Sequence, residues 1–200
     1  MSLSAFFGAA AALLGVLFIW PQVIRVYAKQ SVEGVSGHSQ LIGLSGTQMW
    51  FTYGVSNESI PVILSNLNIE IAIIALVVML VRKRTLPLWQ PVVIFFVTAA
   101  FCAYFGVVAP TAVGITGVII GTPAIFPQVW RAVRSERLMG VSVSSYVLLA
   151  MMGTAWFFYG QMMDDWVLSY PNLILIPSAS FIAWKAWRSH EQAQLETTTP

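Results

Sequence analysis

Two tryptophans and two asparagines lie inside long apolar segments, where they form a repeated pair. Trp50 and Asn66 recur as Trp156 and Asn172 when the sequence is shifted by 106 positions (156 − 50). An indole offers a flat apolar face and one N–H donor, and an amide offers two N–H donors and an acceptor. Such groups can stack on, and hydrogen-bond to, a small polar solute that has an apolar face. We therefore predict that these four residues form a solute-binding site.

The composition indicates which elements must position these residues. Hydrophobic residues make up 58% of the chain and charged residues 9%, whereas a soluble domain has roughly 25% charged residues. The chain is therefore predicted to be an all-α integral membrane protein. A spanning helix needs about 20 largely apolar residues. Seven segments meet this description: 4–24, 39–56, 60–81, 87–107, 110–131, 142–161 and 166–187.

The charged residues predict how these helices are oriented. All ten Lys and Arg residues fall at one end of the predicted bundle, after the first, third, fifth and seventh segments. The opposite end carries Glu58, Asp164 and Asp165. Because basic residues concentrate on the cytoplasmic side of membranes, we expect the N-terminus outside and the C-terminus in the cytoplasm. The expected location is the plasma membrane, with multiple passes.

The sequence contains an internal repeat of three helices. After the shift of 106, fourteen of the 49 positions from 20 to 68 are identical, among them Pro-Gln-Val-x-Arg, Gly-Val-Ser and Trp-Phe-x-Tyr-Gly. We predict a first three-helix repeat in 1–84, a linker helix in 85–108, a second repeat in 109–188 and a disordered cytoplasmic tail in 189–200. One linker helix makes the two repeats parallel, as in the parallel-repeat transporters.

Two Pro-Gln pairs lie near the predicted cytoplasmic ends of the first and fifth segments. They are Pro21 with Gln22, and Pro127 with Gln128. Proline removes a backbone donor and clashes with the preceding turn, so we expect a bend in each helix. The glutamine or a neighbour can satisfy the exposed carbonyl. Two symmetric bends that face each other would form an inner gate or a hinge.

Glu70 is the one acidic residue well inside a predicted helix. It lies four positions after Asn66, and residues at that spacing share a helix face. An intramembrane carboxylate marks a functional site by default, and here it suits proton coupling or a cationic substrate. The alternative is a neutral Glu70 that is hydrogen-bonded to a neighbouring helix.

The sequence has no metal-ligand spacing, phosphate loop, catalytic triad or nucleic-acid motif. No cofactor, metal site or enzymatic activity is therefore predicted, and nucleic acid is not an expected partner. Cys102 is the single cysteine, which excludes an internal disulfide. The expected partners are the solute and the lipid bilayer, and a homo-oligomer stays an open alternative.

The repeated motifs resemble those of the PQ-loop superfamily. Two Pro-Gln pairs, each followed by Gly-Val-Ser and then by Trp-Phe-x-Tyr-Gly, are similar to its signature over nearly the whole chain. The nearest resemblance is to SWEET-type sugar transporters, with cystinosin-like transporters and KDEL receptors more distant. The resemblance implies a 3+1+3 bundle of seven helices, with alternating access around a central pocket.

The resemblance also implies roles for particular residues. In SWEET proteins the pocket uses a tryptophan and an asparagine from each repeat, and these match the four residues predicted above. The first-helix prolines of the family match Pro21 and Pro127. The sequence departs from the family at Ser39 and Ser145, where SWEET proteins have further hinge prolines, and at His38 and Ser144, near which cystinosin-like proteins carry a coupling aspartate.

The sequence thus predicts a membrane transporter that moves a small neutral polar solute, foremost a sugar, by alternating access. Two alternatives stay open. One is proton-coupled transport of an amino acid or amine through Glu70. The other is a receptor that binds its ligand without moving it across the membrane.

Overall fold

The computed structural model describes residues 2–135, 137–139 and 141–198. Within these residues the chain is helical, and the helices follow one another with short connections. The first three are α1 (Leu3–Lys29), α2 (Gly37–Ser56) and α3 (Ile60–Arg82), and α4 (Trp89–Val108) follows them. The next segment consists of α5 (Pro110–Gly121), a 3-10 turn (Thr122–Ile125) and α6 (Phe126–Arg134). The last elements are α7 (Val143–Met162), α8 (Trp166–Ser169) and α9 (Asn172–Thr198).

Local sequence signals explain where several of these helices begin. Ser2, Ser36 and Ser142 are N-cap residues, and each side chain accepts a hydrogen bond from the backbone N–H three residues later. A serine at this position satisfies one of the N–H groups that the first helical turn leaves without a partner. Pro61 and Pro110 lie in the first turns of α3 and α5, where a missing N–H costs nothing.

The seven predicted spans are confirmed, and six of them are apolar enough to be recognised on length and hydropathy alone. The remaining span is α2, which has 20 residues and is therefore about 30 Å long at 1.5 Å per residue. It carries several Gly, Ser, Thr and Gln residues. The helix packs against α3, α4 and α5, so that protein rather than lipid surrounds most of these polar groups.

The helices form two parallel three-helix repeats that are joined by α4. The first repeat is α1, α2 and α3, and the second is α5 to α9. Across the boundary, α1 packs on α7 and α2 packs on α5, which are equivalent pairs under the shift of 106. The parallel 3+1+3 arrangement predicted from the sequence is thereby confirmed.

The segment predicted as a disordered tail, 189–200, is helical as far as Thr198, and residues 199 and 200 lie outside the described residues. Helix α9 continues through Thr198, beyond the predicted end of the last span at residue 187. The extra turns begin with contacts to the loop after α6, because Ser189 accepts a hydrogen bond from the Leu138 N–H at 3.1 Å. Such contacts extend the packed part of α9 past the hydrophobic segment.

Candidate functional site

A central cavity of about 840 Å³ lies between the two repeats. The four residues predicted to bind a solute all line it. Three of the four residues predicted to form the gate, Pro21, Gln22 and Gln128, line it as well, whereas Pro127 does not. The cavity therefore extends from the tryptophan and asparagine level to the level of the Pro-Gln pairs.

Each cavity tryptophan is held by a tyrosine one helical turn further along its helix. The rings of Trp50 and Tyr53 are 5.7 Å apart at an interplanar angle of 89°. The equivalent Trp156 and Tyr159 are 5.8 Å apart at 75°. Edge-to-face contacts of this kind are favourable for aromatic pairs, so both indoles are fixed in matching orientations.

The two cavity asparagines also have matching surroundings. The Asn66 amide donates a hydrogen bond to the Val62 carbonyl at 2.9 Å, and the Asn172 amide donates one to the Leu168 carbonyl at 2.8 Å. An asparagine amide has a second N–H and an acceptor oxygen in addition to the donor used here. These bonds therefore fix each side chain against its own helix backbone and leave polar groups for a further partner.

The wall between these levels is mainly apolar, with a few hydroxyl groups. Among the described residues, Ile69, Leu149, Met152 and Leu175 contribute apolar surface, and Ser65 contributes a hydroxyl. At the tryptophan and asparagine level no lining residue carries a charge. A neutral solute fits this environment, since an unpaired charge would be costly there.

The cavity opens toward the end of the bundle that carries the basic residues. Arg25 and Arg131 line this end and are both exposed. They are equivalent in the two repeats, and each lies one turn beyond a Pro-Gln pair. The hydroxyls of Ser142 and Ser145 also line this end. The mouth is thus polar and positively charged.

The two Pro-Gln segments differ in structure, which corrects the prediction of two symmetric bends. Helix α1 passes through Pro21 without interruption. In the second repeat, a 3-10 turn over Thr122–Ile125 separates α5 from α6 before Pro127. The break is explained by Pro123, which lies four residues before Pro127. Neither proline has a backbone N–H, so two hydrogen-bond donors on the same face of the helix are missing. The Phe126 N–H instead bonds to the Pro123 carbonyl, three residues back.

At the end of the cavity opposite the mouth with the arginines, two hydrogen bonds join the repeats. The Tyr53 hydroxyl donates to a carboxylate oxygen of Asp165 at 2.8 Å, and the hydroxyls of Ser59 and Tyr159 are 2.7 Å apart. We call these four residues the outer closure. Tyr53 and Tyr159 are equivalent under the shift of 106, as are Ser59 and Asp165. The two hydrogen bonds therefore occupy equivalent positions in the two repeats. One has a carboxylate as its acceptor, and the other joins two hydroxyl groups.

Two equivalent glycines allow the tyrosines of the outer closure to approach the opposite repeat. A Cβ atom on Gly114 would lie 2.7 Å from the Tyr53 ring, and one on Gly8 would lie 3.0 Å from the Tyr159 ring. A larger residue at either glycine would displace the tyrosine ring, because protein interiors are close-packed. The outer closure is not among the sites predicted from the sequence. The signal was present in the repeated Trp-Phe-x-Tyr-Gly motif and in the equivalence of Ser59 and Asp165.

Glu70 is absent from the residues that line the central cavity, which corrects the expectation that it shares a face with Asn66. Its carboxylate lies near the Gln48 side chain of α2, within the first repeat. Residues four positions apart on a helix are offset by about 40° at 3.6 residues per turn, and here that offset turns Glu70 toward α2. The structure therefore favours the alternative of a helix–helix contact.

Comparisons with known proteins agree with this architecture. Residues 3–63 match the family model described as the PQ loop repeat. A 59-residue segment is 32% identical to the "Sugar transporter SemiSWEET" of Leptospira biflexa, and it covers 30% of this chain and 69% of that protein. This chain is a SWEET-type member of the PQ-loop family.

A solved structure extends the similarity to the whole SWEET-type fold. The chain superimposes on a eukaryotic SWEET transporter with a TM-score of 0.74, over 95% of this chain and 100% of that one. The sequence identity is 15%, so this likeness concerns the fold. It includes the second repeat and the linker helix, which lie outside the segment that matches the family model.

Proposed function

We propose that this SWEET-type protein transports a small neutral polar solute, foremost a sugar, across the membrane. The observation that carries the proposal is the meeting of Trp50, Trp156, Asn66 and Asn172 around one uncharged level of the central cavity. The similarity to a protein named as a sugar transporter supports the same solute class. An enzymatic activity has no counterpart among these observations.

The geometry suggests how the solute is held. The indoles of Trp50 and Trp156 provide apolar faces on which a sugar ring stacks, each oriented by its tyrosine. The remaining N–H and the carbonyl oxygen of Asn66 and Asn172 serve its hydroxyl groups. Since each amide is already fixed by one backbone bond, little side-chain freedom is lost when the solute binds.

Transport by alternating access follows from the contrast between the two ends of the cavity. The outer closure is formed and the mouth at Arg25 and Arg131 is open, so the structure is one of two end states that we propose. In the other, the outer hydrogen bonds break and the Pro-Gln segments approach each other. The repeats at 1–84 and 109–188 act as the moving bodies, with Pro21, Gln22, Pro127 and Gln128 at the inner gate.

The charge distribution supports an orientation for this cycle. The mouth with the arginines belongs on the cytoplasmic side by the positive-inside rule, with the N-terminus outside and the C-terminus inside. The outer closure then faces the exterior of the plasma membrane. The open state of this structure is accordingly the one that exchanges solute with the cytoplasm.

The direct test is uptake of radiolabelled glucose and sucrose into liposomes that contain the purified protein. The Asn66→Ala/Asn172→Ala variant is expected to lose most of the flux, because the solute's hydroxyl groups lose their partners. Gln192→Ala removes an exposed amide side chain outside the cavity and should retain the wild-type flux. Equal flux in all three proteins would disprove the site, and saturable binding without flux would point to the receptor alternative.

The proton-coupled alternative has a test of its own. Because Glu70 lies near Gln48 and does not line the cavity, it has no direct contact with a bound solute. We expect uptake to be unaffected by an imposed pH gradient in the wild type and in Glu70→Gln. Gradient-driven accumulation that disappears in Glu70→Gln would instead establish proton coupling.

A further inference from the structure

The two repeats have equivalent grooves on the lateral surface of the helical bundle. The grooves differ in whether a helix fills them. The groove of the first repeat lies between α2, α3 and α5, and α4 occupies it. The equivalent groove of the second repeat lies between α7, α9 and α1, and it is an open cavity of about 520 Å³. The shift of 106 relates the linings of the two grooves residue by residue.

Helix α4 fills the first groove through both apolar and polar contacts. Ile94 and Phe95 of α4 pack on the cluster that contains Leu41, Leu44 and Val77. Cys102 of α4 packs with Met49 and Val113. The equivalents of these five groove residues are Val147, Ala150, Ala183, Ala155 and Phe7, and all five line the open groove.

Polar groups in the first groove match polar groups of α4. The Thr98 hydroxyl of α4 donates to the Ser45 hydroxyl at 3.2 Å, and Ser56 donates to the Gly106 carbonyl at 2.9 Å. The Glu70 carboxylate and the Gln48 amide lie on the same side of the first repeat. Interhelical hydrogen bonds of this kind hold membrane helices in a defined place.

The open groove has lost these polar groups. Met151 replaces Ser45, Thr154 replaces Gln48 and Ile176 replaces Glu70. The Thr154 hydroxyl is used within its own helix, because it donates to the Ala150 carbonyl at 2.8 Å. A helix seated here would find no counterpart for the contacts that hold α4. A flexible hydrocarbon chain needs none.

We propose that the open groove between α1, α7 and α9 binds an acyl chain of a bilayer phospholipid. No charged residue lines the groove among those that the structure describes, so the headgroup lies elsewhere and the chain alone is held. The lining of α1 runs from Phe6 to Leu14, which is about 12 Å along the helix. This is less than half of the roughly 30 Å hydrocarbon thickness, so the groove is long enough for only part of one acyl chain.

The position of the groove gives the acyl chain a role. Helices α1 and α7 belong to different repeats and pack on each other, so the groove lies along the joint between the two bodies. The buried Ala155 and Ala183 form its floor, and the exposed Val147 and Met151 form its rim. A chain in the groove fills the space that α4 fills in the first repeat and supports the α1–α7 contact.

The test uses phosphatidylcholine with a photoactivatable group in one acyl chain, in liposomes that contain the full chain. After illumination, we expect the label on the α1, α7 and α9 segments that line the groove. Ala150→Phe fills the groove and should lose most of this label, and Ser180→Phe at the exposed rim repeats the test. Ala100→Phe, on the exposed outer face of α4, is the matched control and should keep it.

Two results would overturn the proposal. One is label spread equally over all bilayer-facing helices, α4 included, and unchanged by Ala150→Phe and Ser180→Phe. The other is a cross-link between two protein chains through the groove, which would make a second copy the occupant. The labelling does not depend on sugar flux, so it can succeed or fail independently of the proposed transport function.

Discussion

The two Pro-Gln segments have the same sequence motif and different structures. In the first repeat, α1 continues through Pro21 and is tied laterally to α3. The Trp20 indole N–H donates a hydrogen bond to the side-chain Oδ1 of Asn68 at 2.7 Å. The Tyr27 hydroxyl donates one to the backbone carbonyl of Ala75 at 3.0 Å. This segment is one uninterrupted helix that is bonded to its neighbour at two levels.

The equivalent segment of the second repeat is broken into two helices. It has apolar residues at the positions whose side chains form both bonds in the first repeat. A 3-10 turn over Thr122–Ile125 separates α5 from α6. Phe126 and Ile174 replace Trp20 and Asn68, and Val133 replaces Tyr27, so neither side-chain bond can form. Helix α6 packs on α9 through Ala132 and keeps a bond to it, from the Lys185 ammonium to the Val133 carbonyl at 3.4 Å. Because a turn separates α6 from α5, it can change direction without bending a continuous helix, and we expect it to move more than the inner end of α1.

The same sequence motif therefore lies in two segments that differ in structure and in their expected mobility. The Pro-Gln pair is identical in both repeats, and the difference comes from two neighbours. The residue four positions before the proline is Leu17 in one repeat and Pro123 in the other. The residue just before the proline is Trp20 or Phe126. Exchanging these residues between the repeats tests the comparison.

The largest effect is expected for Leu17→Pro, which gives the first repeat the double-proline spacing of the second. Proline within a helix removes a hydrogen bond and clashes with the preceding turn, at a cost of about 3 kcal/mol or more. We expect a clearly lower unfolding temperature in detergent. Leu17 is 50% exposed, so Leu17→Ala is a mild control. An equally small effect of both changes would contradict the description of α1 as one uninterrupted helix through Pro21.

The reciprocal change, Pro123→Leu, restores a backbone donor before Pro127. A continuous α5–α6 helix should then form, with the turnover of transport reduced several-fold and the half-saturating solute concentration unchanged. That split is expected because the cavity residues stay in place while the hinge stiffens. Turnover equal to that of the wild type would show that the break is not used as a hinge.

An intermediate effect is expected at the outer closure, where the two repeats also differ. Charge-assisted hydrogen bonds are about twice as strong as neutral ones, so Tyr53→Phe should open the outer end more than Tyr159→Phe. A cysteine at Ser65, in a Cys102→Ala background, reports the opening through labelling with an impermeant thiol reagent added outside. Faster labelling in Tyr159→Phe than in Tyr53→Phe would contradict this ranking.

The smallest effect is expected for Trp20→Phe, which removes the tie to Asn68. Hydrogen bonds between membrane helices contribute on average about 0.6 kcal/mol, so the free energy of unfolding should fall by about that amount. The double variant Trp20→Phe/Asn68→Ile reproduces the pair of the second repeat and leaves no unpaired amide. A double-mutant cycle with no coupling between the two positions would show that the tie does not contribute.

Much of the fold followed from the sequence because membrane insertion limits the alternatives. Apolar length gave seven helices, and the repeat gave their parallel arrangement. The same shift of 106 related Trp50 and Asn66 to Trp156 and Asn172, and the symmetry of the fold brings such pairs around one axis. These predictions depended on spacing and symmetry, both of which can be read from one chain.

Other features depend on which helices touch, and spacing alone does not determine this. The bond between Tyr53 and Asp165 requires α2 to lie against the second repeat. The direction of Glu70 depended on how α3 is turned relative to its neighbours, and the side chain lies near Gln48 of α2. The break before Pro127 was within reach of the sequence, because Pro123 lies one helical turn earlier.

The most direct test of unequal movement is a pair of matched distance measurements by pulsed electron paramagnetic resonance. Spin labels at Ala28 and Arg82 report on α1 against α3, and labels at the equivalent Arg134 and Arg188 report on α6 against α9; all four residues are exposed. The distances are compared with the outer closure intact and with it removed by Tyr53→Phe/Tyr159→Phe. We predict a shifted or broader distribution for the second pair and an unchanged one for the first. Equal changes in both pairs would contradict the account.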